Sequence, residues 1–311
     1  GLPLAQTGAA HLGAAALAGT VLAGLAWFWP VPRAPAGGFA LACLFAATAA
    51  RPGVPAMGAV HAIVIDVGQG LAVLVRTRHR AYLYDTGPRS LDYVAAETTV
   101  VPVLAHYGIE ALDAVIISHR DTDHAGGIEA IAQAVAVRRW LASPPLAADT
   151  AMRPCAAGHR WQVDSVHFAF LGPPLTTRAE RNDASCVLAV TGASGRTLLL
   201  TGDIEAAAEA ALMSSGRSLA ADVITVPHHG SATSSTPAFV AAVGARYAVN
   251  ASGHRNRWGL PVPEIVARYR DAGAVFLDTA VVGAVCIDLD VAASVAPCER
   301  RRPPWRRRAA P

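Results

Sequence analysis

The chain has 311 residues, of which 53% are hydrophobic and 16% charged, a balance too apolar for disorder and long enough for one large domain or two ordinary ones. Its formal net charge is +3, and all 26 basic side chains are arginine. Residues 299–311 alone hold six arginines against one acid, so the remainder is close to neutral or slightly acidic.

In chain order, residues 8–29 come first. They carry no formal charge and are long enough to cross a bilayer as a helix, with Trp27, Phe28 and Trp29 suited to a membrane interface. A buried core helix or a signal peptide is the alternative, but no basic side chain precedes Arg33, as a signal peptide would require. A second apolar stretch, 37–50, lies between Arg33 and Arg51. It reads as a short or interfacial helix, or as a span if 31–38 contributes. The first residue is not Met, so the expectation is that residues 1–55 end a longer membrane domain.

The link Arg51-Pro-Gly-Val-Pro55 changes the pattern from long apolar runs to short strands and turns. Strands are predicted at 60–67, 71–76 and 81–84, a helix at 101–107, a strand at 114–117 and a helix at 126–135. Further strands follow at 168–171, 186–191, 197–200, 223–226, 247–249, 275–277 and 285–289, with helices at 204–213 and 263–272. Residues 142–160, rich in Pro and Ala, read as an irregular loop. Interleaved strands and helices over 56–296 predict two sheets packed face to face and covered by helices. Residues 297–311 form a basic tail, read either as solvated and disordered or as attracted to DNA phosphates or anionic lipid. Among the five cysteines there is no CxxC pair. Cys43 and Cys186 are expected to pack as small hydrophobes, and a disulfide between two of Cys155, Cys286 and Cys298 stays open.

The run Ser118-His-Arg-Asp-Thr-Asp-His124-Ala-Gly-Gly127 follows the predicted strand 114–117 and puts four metal-capable side chains into six residues. Alternation in an extended segment points His119, Asp121 and Asp123 the same way, and His124 then begins a helix. Such groups converging without a cation repel or stay unsatisfied. The alternative is a polar turn in which Asp123 caps the helix. Thr201-Gly-Asp203 and Pro227-His-His-Gly-Ser231 again place Asp or His where a strand gives way to a turn. Three such junctions suggest loops gathered at one sheet edge.

With these pieces in place, residues 60–290 resemble a metallo-β-lactamase fold and, more narrowly, the C-terminal hydrolase-like domain of ComEC-type DNA-uptake channels. The matching motifs occur in family order: Asp66-Val-Gly-Gln-Gly70, Asp85-Thr-Gly87, Ser118 to His124, Asn182-Asp183 with Ser185, Thr201-Gly-Asp203, His228-His-Gly-Ser231 and Asn256-Arg-Trp-Gly259. The resemblance implies an α/β (α+β) fold, an αββα sandwich preceded by hydrophobic membrane helices. It implies metal ligands at His119, Asp121, Asp123, His124, Asp203 and His228, with Asp203 bridging two divalent ions. Asp121 stands where zinc hydrolases of this fold have the middle histidine of HxHxDH, which hardens the site and shifts its preference toward Mn²⁺ relative to Zn²⁺.

The activity implied is hydrolysis of a phosphodiester, with catalytic roles at Asp123, Asp203 and His229. His229 either donates to the leaving group or holds His228 in its tautomer. Asp66, Gln69, Asp85, Ser231 and His254 are supporting positions; for Asp66, Gln69 and Asp85, turn and hydrogen-bond chemistry alone is the alternative. One departure stands out. Where the family has Gly-His-Pro, this chain has Gly259-Leu260-Pro261, and His254 is the histidine that would have to reach in instead. The implied partners are DNA, membrane lipid through residues 8–50, the rest of an uptake channel and other competence proteins. The implied location is the inner membrane of a bacterium, with the hydrolase domain on its outer face. Two other readings compete: a DNA-guiding domain without catalysis, and hydrolysis of another ester.

Overall fold

A computed structural model describes residues 53–148, 152–177, 181–290 and 293–298. The expected membrane helices and the basic tail lie outside these residues. Among the described residues no helix is long and apolar enough to cross a membrane. The chain divides into two compact units, and everything described below belongs to the larger, Pro55–Val101 with Glu110–Arg300.

Two mixed sheets form this unit. The first is built from β1 (His61–Val64), β2 (Val73–Arg76), β3 (Ala81–Tyr84), β4 (Ala114–Ile117), β5 (Trp140–Ala142) and β6 (Arg153–Pro154). The second contains β7 (Arg160–Val163), β8 (Val166–Gly172), β9 (Val187–Thr191), β10 (Thr197–Leu200), β11 (Val223–Thr225), β12 (Tyr247–Asn250) and β13 (Val275–Asp278). The chain then returns to the first sheet with β14 (Val285–Asp288) and β15 (Ser294–Pro297), giving the orders β6-β5-β4-β3-β2-β1-β14-β15 and β7-β8-β9-β10-β11-β12-β13. In each sheet one half is antiparallel and the other parallel: β3, β4, β5 and β6 run together in the first, and β10, β11, β12 and β13 in the second.

Alternation on the strands builds the core. Val73, Val75, Tyr82, Tyr84, Ala114 and Ile116 of the first sheet meet Val166, Phe168, Phe170, Leu188, Val190 and Leu200 of the second in one buried cluster. The opposite face of the second sheet, with Val187, Leu199, Ile224 and Ala248, is covered by helices. Three of them, Ala206–Ser214, Pro237–Val243 and Pro263–Asp271, contribute Leu212, Phe239, Val240, Ile265 and Tyr269. Each fully buried large apolar side chain stabilises this packing by roughly 1.5–3 kcal/mol.

Several elements differ from the sequence reading. The segment read as an irregular loop contains the short helix Pro144–Ala148 and the edge strand β6, the strands β5, β7 and β15 are additional, and Pro237–Val243 is helical, capped by the Thr236 hydroxyl accepting from Phe239 N–H. The cysteine expectation is also corrected. Cys186 is not a free thiol packed as a hydrophobe: it is bonded to Cys155, both fully buried. Cys155 follows β6 and Cys186 precedes β9, so the bond joins the two sheets across the core, with Cα atoms 5.9 Å apart. A second disulfide links Cys286 on β14 to Cys298 beyond β15.

Candidate metal centre

The parallel strands decide where the polar side chains gather, because their carboxyl ends all open at one edge of the sandwich. Asp85 follows β3, Ser118 and His119 follow β4, Asp203 follows β10, and His229 follows β11. The chain turns sharply at these ends. Gly202 has φ +56, and a Cβ there would meet the Cβ atoms of Ser118 and Ser185 at 2.9 Å, so only glycine lets the three loops touch. At Gly230 (φ +79) a Cβ would meet that of Pro261 at 2.5 Å.

Asp123, His124, Asp203 and His229 form the inner group, with one ligand atom of each lying within 4.8 Å of the others. His124 Nε2 is 3.1 Å from one Asp203 oxygen, and His229 Nε2 is 3.4 Å from the other and 3.3 Å from Asp123. Asp123 sits in the first turn of the short helix Thr122–Ala125, not on an extended segment with His119 and Asp121. Asp121 is the residue that precedes that helix. The two imidazoles are oriented from behind. His124 Nδ1 lies 2.8 Å from the buried carboxylate of Asp85, and His229 Nδ1 donates to the Ala251 carbonyl at 2.7 Å. Each Nδ1 therefore carries the hydrogen, and each Nε2 turns toward the centre.

Asp85 also accepts from the Ser118 amide at 2.6 Å and the Ser118 hydroxyl at 2.7 Å, which locks the start of the motif loop. Ser185 Oγ accepts from the Asp203 amide at 3.1 Å. His119 stands beside the inner group, its ring 4.2 Å from that of His124. Its Nε2 is buried and has no hydrogen-bond partner among the described residues. Asp121 lies 4.0 Å from that nitrogen and pairs with the exposed Arg181 at 2.8 Å.

Charge follows from this enclosure. Burial opposes an imidazolium at His124, yet Asp203 and Asp85 outweigh it and hold the ring well above its usual value. His229 meets the same burial penalty and is pushed up to about 9, chiefly by Asp203 and Asp123. Burial likewise disfavours the Asp203 carboxylate, but the two imidazoles keep it well below the usual range. Asp123, against its own burial penalty, is held down to about 2 by His229 and His124. His119 is lowered to about 4 by burial and by the charge on His124. The result is two protons trapped between two carboxylates and, beside them, an imidazole held neutral whose Nδ1 meets Ser118 Oγ at 3.0 Å and whose Nε2 has no partner among the described residues. A divalent cation replaces such protons with the same charge, and the buried orphan nitrogen gains a partner, so the donor set fits a metal.

At the turn Pro227–Gly230 the structure brings one of the two histidines to the inner group. His229 belongs to the inner group, whereas His228, expected as the ligand, points to Glu205 at 3.1 Å and Thr233 at 3.2 Å. Both residues have positive φ, 49° and 54°, which turns successive side chains to opposite sides. Among the supporting positions, Asp85 is joined to the site directly, and Gln69 accepts from Gly253 N–H at 3.1 Å, tying the loop after β1 to the loop after β12. Asp66 is half-buried on the same loop as Gln69. Ser231 bonds Thr233 at 3.1 Å, outside the inner group. His254 is exposed and also outside it. The amide and carbonyl of Leu260 are both taken by the Asn256 side chain. Arg181 and Glu205 escaped sequence reasoning; the only signal was their proximity to the Asn182-Asp183 and Thr201-Gly-Asp203 motifs.

A fold of two mixed sheets with a His/Asp centre at the carboxyl ends of its strands defines a class of metal-dependent hydrolase folds. The profile of the metallo-beta-lactamase superfamily matches residues 65–254, and the chain belongs to that superfamily. Three curated relatives narrow the kinship and bear out the resemblance to ComEC-type proteins. Competence protein ComA of Neisseria gonorrhoeae is 40% identical, over 71% of this chain and 31% of the relative. Recombination protein 2 of Haemophilus influenzae is 36% identical, over 72% and 28%. ComE operon protein 3 of Bacillus subtilis is 28% identical, over 65% and 30%. The chain thus matches under a third of the length of these relatives.

Proposed function

We propose that this chain is the metal-dependent hydrolase part of a DNA-uptake protein and that it cleaves DNA phosphodiester bonds. The observation that carries the reading is the unpartnered, buried His119 Nε2 beside a four-residue group whose imidazoles both aim Nε2 inward. The relatives named for competence and recombination supply the biological setting. Asp123, His124, Asp203 and His229 would hold one cation, since one ligand atom of each lies within 4.8 Å of the others, and His119 and Asp121, which stand beside that group, would hold a second. Three carboxylates among six donors favour Mn²⁺ relative to Zn²⁺.

When bound, the cations supply an activated water and a grip on phosphate oxygens. The chain's own residues do the rest. Asp85 and the Ala251 carbonyl take the Nδ1 side of His124 and His229 and leave each Nε2 to the centre, so with a cation held there His229 would have no Nε2 proton to give a leaving group. Asp123, a third exposed while its neighbours are buried, is the carboxylate positioned to orient water from the open side. Two disulfides support an oxidising compartment, which agrees with a domain on the outer face of the inner membrane, attached to lipid through residues 8–50.

A second reading is a DNA-guiding domain without catalysis, working with the rest of the uptake channel and other competence proteins. Leu260 favours it, because an apolar side chain stands where the family carries histidine and His254 does not replace it. The test is to strip the 311-residue chain of metal and incubate it with single- and double-stranded DNA and Mn²⁺, Mg²⁺ or Zn²⁺, beside Asp203→Ala. Cleavage by the unaltered chain alone is expected. Stoichiometric metal uptake and DNA binding with no cleavage under any metal overturns hydrolysis in favour of guiding.

A further inference from the structure

A cavity of about 450 Å³ opens at the end of the first sheet remote from the metal centre; its walls include Arg80, Tyr82, Asp113, Arg138, Arg139 and Trp161. Arg80 immediately precedes β3, Asp113 precedes β4, and Arg138 and Arg139 precede β5. These strands are parallel, so their amino ends are separated from the metal-centre loops by a four-residue strand, roughly 13 Å. Trp161 comes from β7, the edge strand of the second sheet, so the cavity bridges the two sheets.

The charges here do not balance. One carboxylate oxygen of Asp113 pairs with Arg80 at 3.0 Å and with Arg138 at 3.5 Å, and Arg139 donates to the Asp113 carbonyl at 3.4 Å. The other oxygen accepts from the Ala81 amide at 3.3 Å. Three guanidinium groups thus gather around one acid, an excess of two positive charges held by a residue that organises them without neutralising them. Arg138 is 61% exposed, so its guanidinium has donors to spare for an incoming anion. Next to this charge lies an aromatic wall: Trp161 is half-buried, stacked on Phe168 at 4.9 Å with 6° between the rings, and 6.1 Å from Tyr82.

We propose that this cavity binds a segment of single-stranded DNA, its phosphates on Arg138 and Arg139 and a base against Trp161. The inference rests on the reading that DNA is the substrate. Arginine forks match phosphate geometry, and an aromatic side chain accepts any base by its π face. A paired base in a duplex keeps that face against its neighbours, so the aromatic wall selects the single strand. The strand would then be held at one end of the sandwich and cut at the other.

The test uses the 311-residue chain and an oligothymidylate carrying 5-iodouracil. Photo-crosslinks are expected on the β7 peptide that holds Trp161. In Arg138→Ala/Arg139→Ala the adduct should fall, and the slope of log affinity against log salt should drop by about 1.4, two phosphate contacts at about 0.7 each. Metal uptake should stay unchanged, which shows that the fold is kept. Wild-type DNA binding with an unchanged slope in the double variant and crosslinks elsewhere overturns the groove and leaves the DNA reading standing. Failure of the unaltered chain to bind DNA overturns both.

Discussion

His124 and His229 face each other through Nε2 atoms 3.2 Å apart, while the Nδ1 of one is committed to Asp85 and that of the other to the Ala251 carbonyl. Two lone pairs at that distance repel. Without a metal those lone pairs are taken up by protons on the rings, kept there by the carboxylates of Asp203, Asp85 and Asp123.

Metal uptake should therefore release protons. His229 is raised from 6.5 to about 9, so below that value a cation competes with an imidazolium, and affinity should climb with pH until it levels off near 9. The sign for the metal-free fold is the reverse. The raised imidazole stabilises it fully below about 6.5, and that contribution is lost as pH rises through about 9. Titration calorimetry in buffers of different ionisation enthalpy measures the release; uptake without proton release would contradict the arrangement.

The turn histidines separate cleanly by mutation. His229→Ala should abolish high-affinity binding of one metal ion, whereas His228→Ala should keep the metal content and change only the contacts with Glu205 and Thr233. Metal analysis of the two purified variants decides between them, and metal loss in His228→Ala with retention in His229→Ala would reverse the assignment.

Asp85→Asn preserves shape but removes the carboxylate behind His124. Metal affinity should fall about 10–100-fold, as for other residues that orient a ligand from behind. An unpaired buried group should also cost about 1–3 kcal/mol of stability, readable in urea unfolding. Unchanged affinity would reduce Asp85 to a turn residue.

The cross-sheet disulfide closes a loop with a sequence separation of 31, for which chain entropy gives about 3.7 kcal/mol. Cys155→Ser/Cys186→Ser should lower the unfolding midpoint in non-reducing buffer, and a reductant should lower the midpoint of the unaltered chain without a matching effect on this bond in the variant. Equal midpoints in both would show that the bond does not constrain the unfolded chain.

Much of this architecture was legible in the sequence because apolar strands end abruptly at polar turns. The strands 114–117 and 197–200 are read with the bounds they have in the structure, and the motif loops follow from them. Pro237–Val243 was not legible, since Pro-Ala-Phe-Val-Ala-Ala-Val has no polar positions to mark a helical period. Nor was the choice between His228 and His229, which depends on two left-handed backbone conformations that the residue types do not announce. The Cys155–Cys186 pairing depends on bringing β6 against β9, a tertiary event that local spacing does not encode.

The hydrogen bond from Gly253 to Gln69 sews the rim of one sheet to the rim of the other beside the metal centre. A Cβ at Gly253 would lie 2.8 Å from the Gln69 amide nitrogen, so the seam leaves no room between the loops. The metal centre is thus closed along that flank and open where Asp123, Asp121 and Arg181 meet solvent, with side-chain exposures of 34%, 25% and 71%. A long polymer laid across such a site meets a wall on one side and a guanidinium on the other.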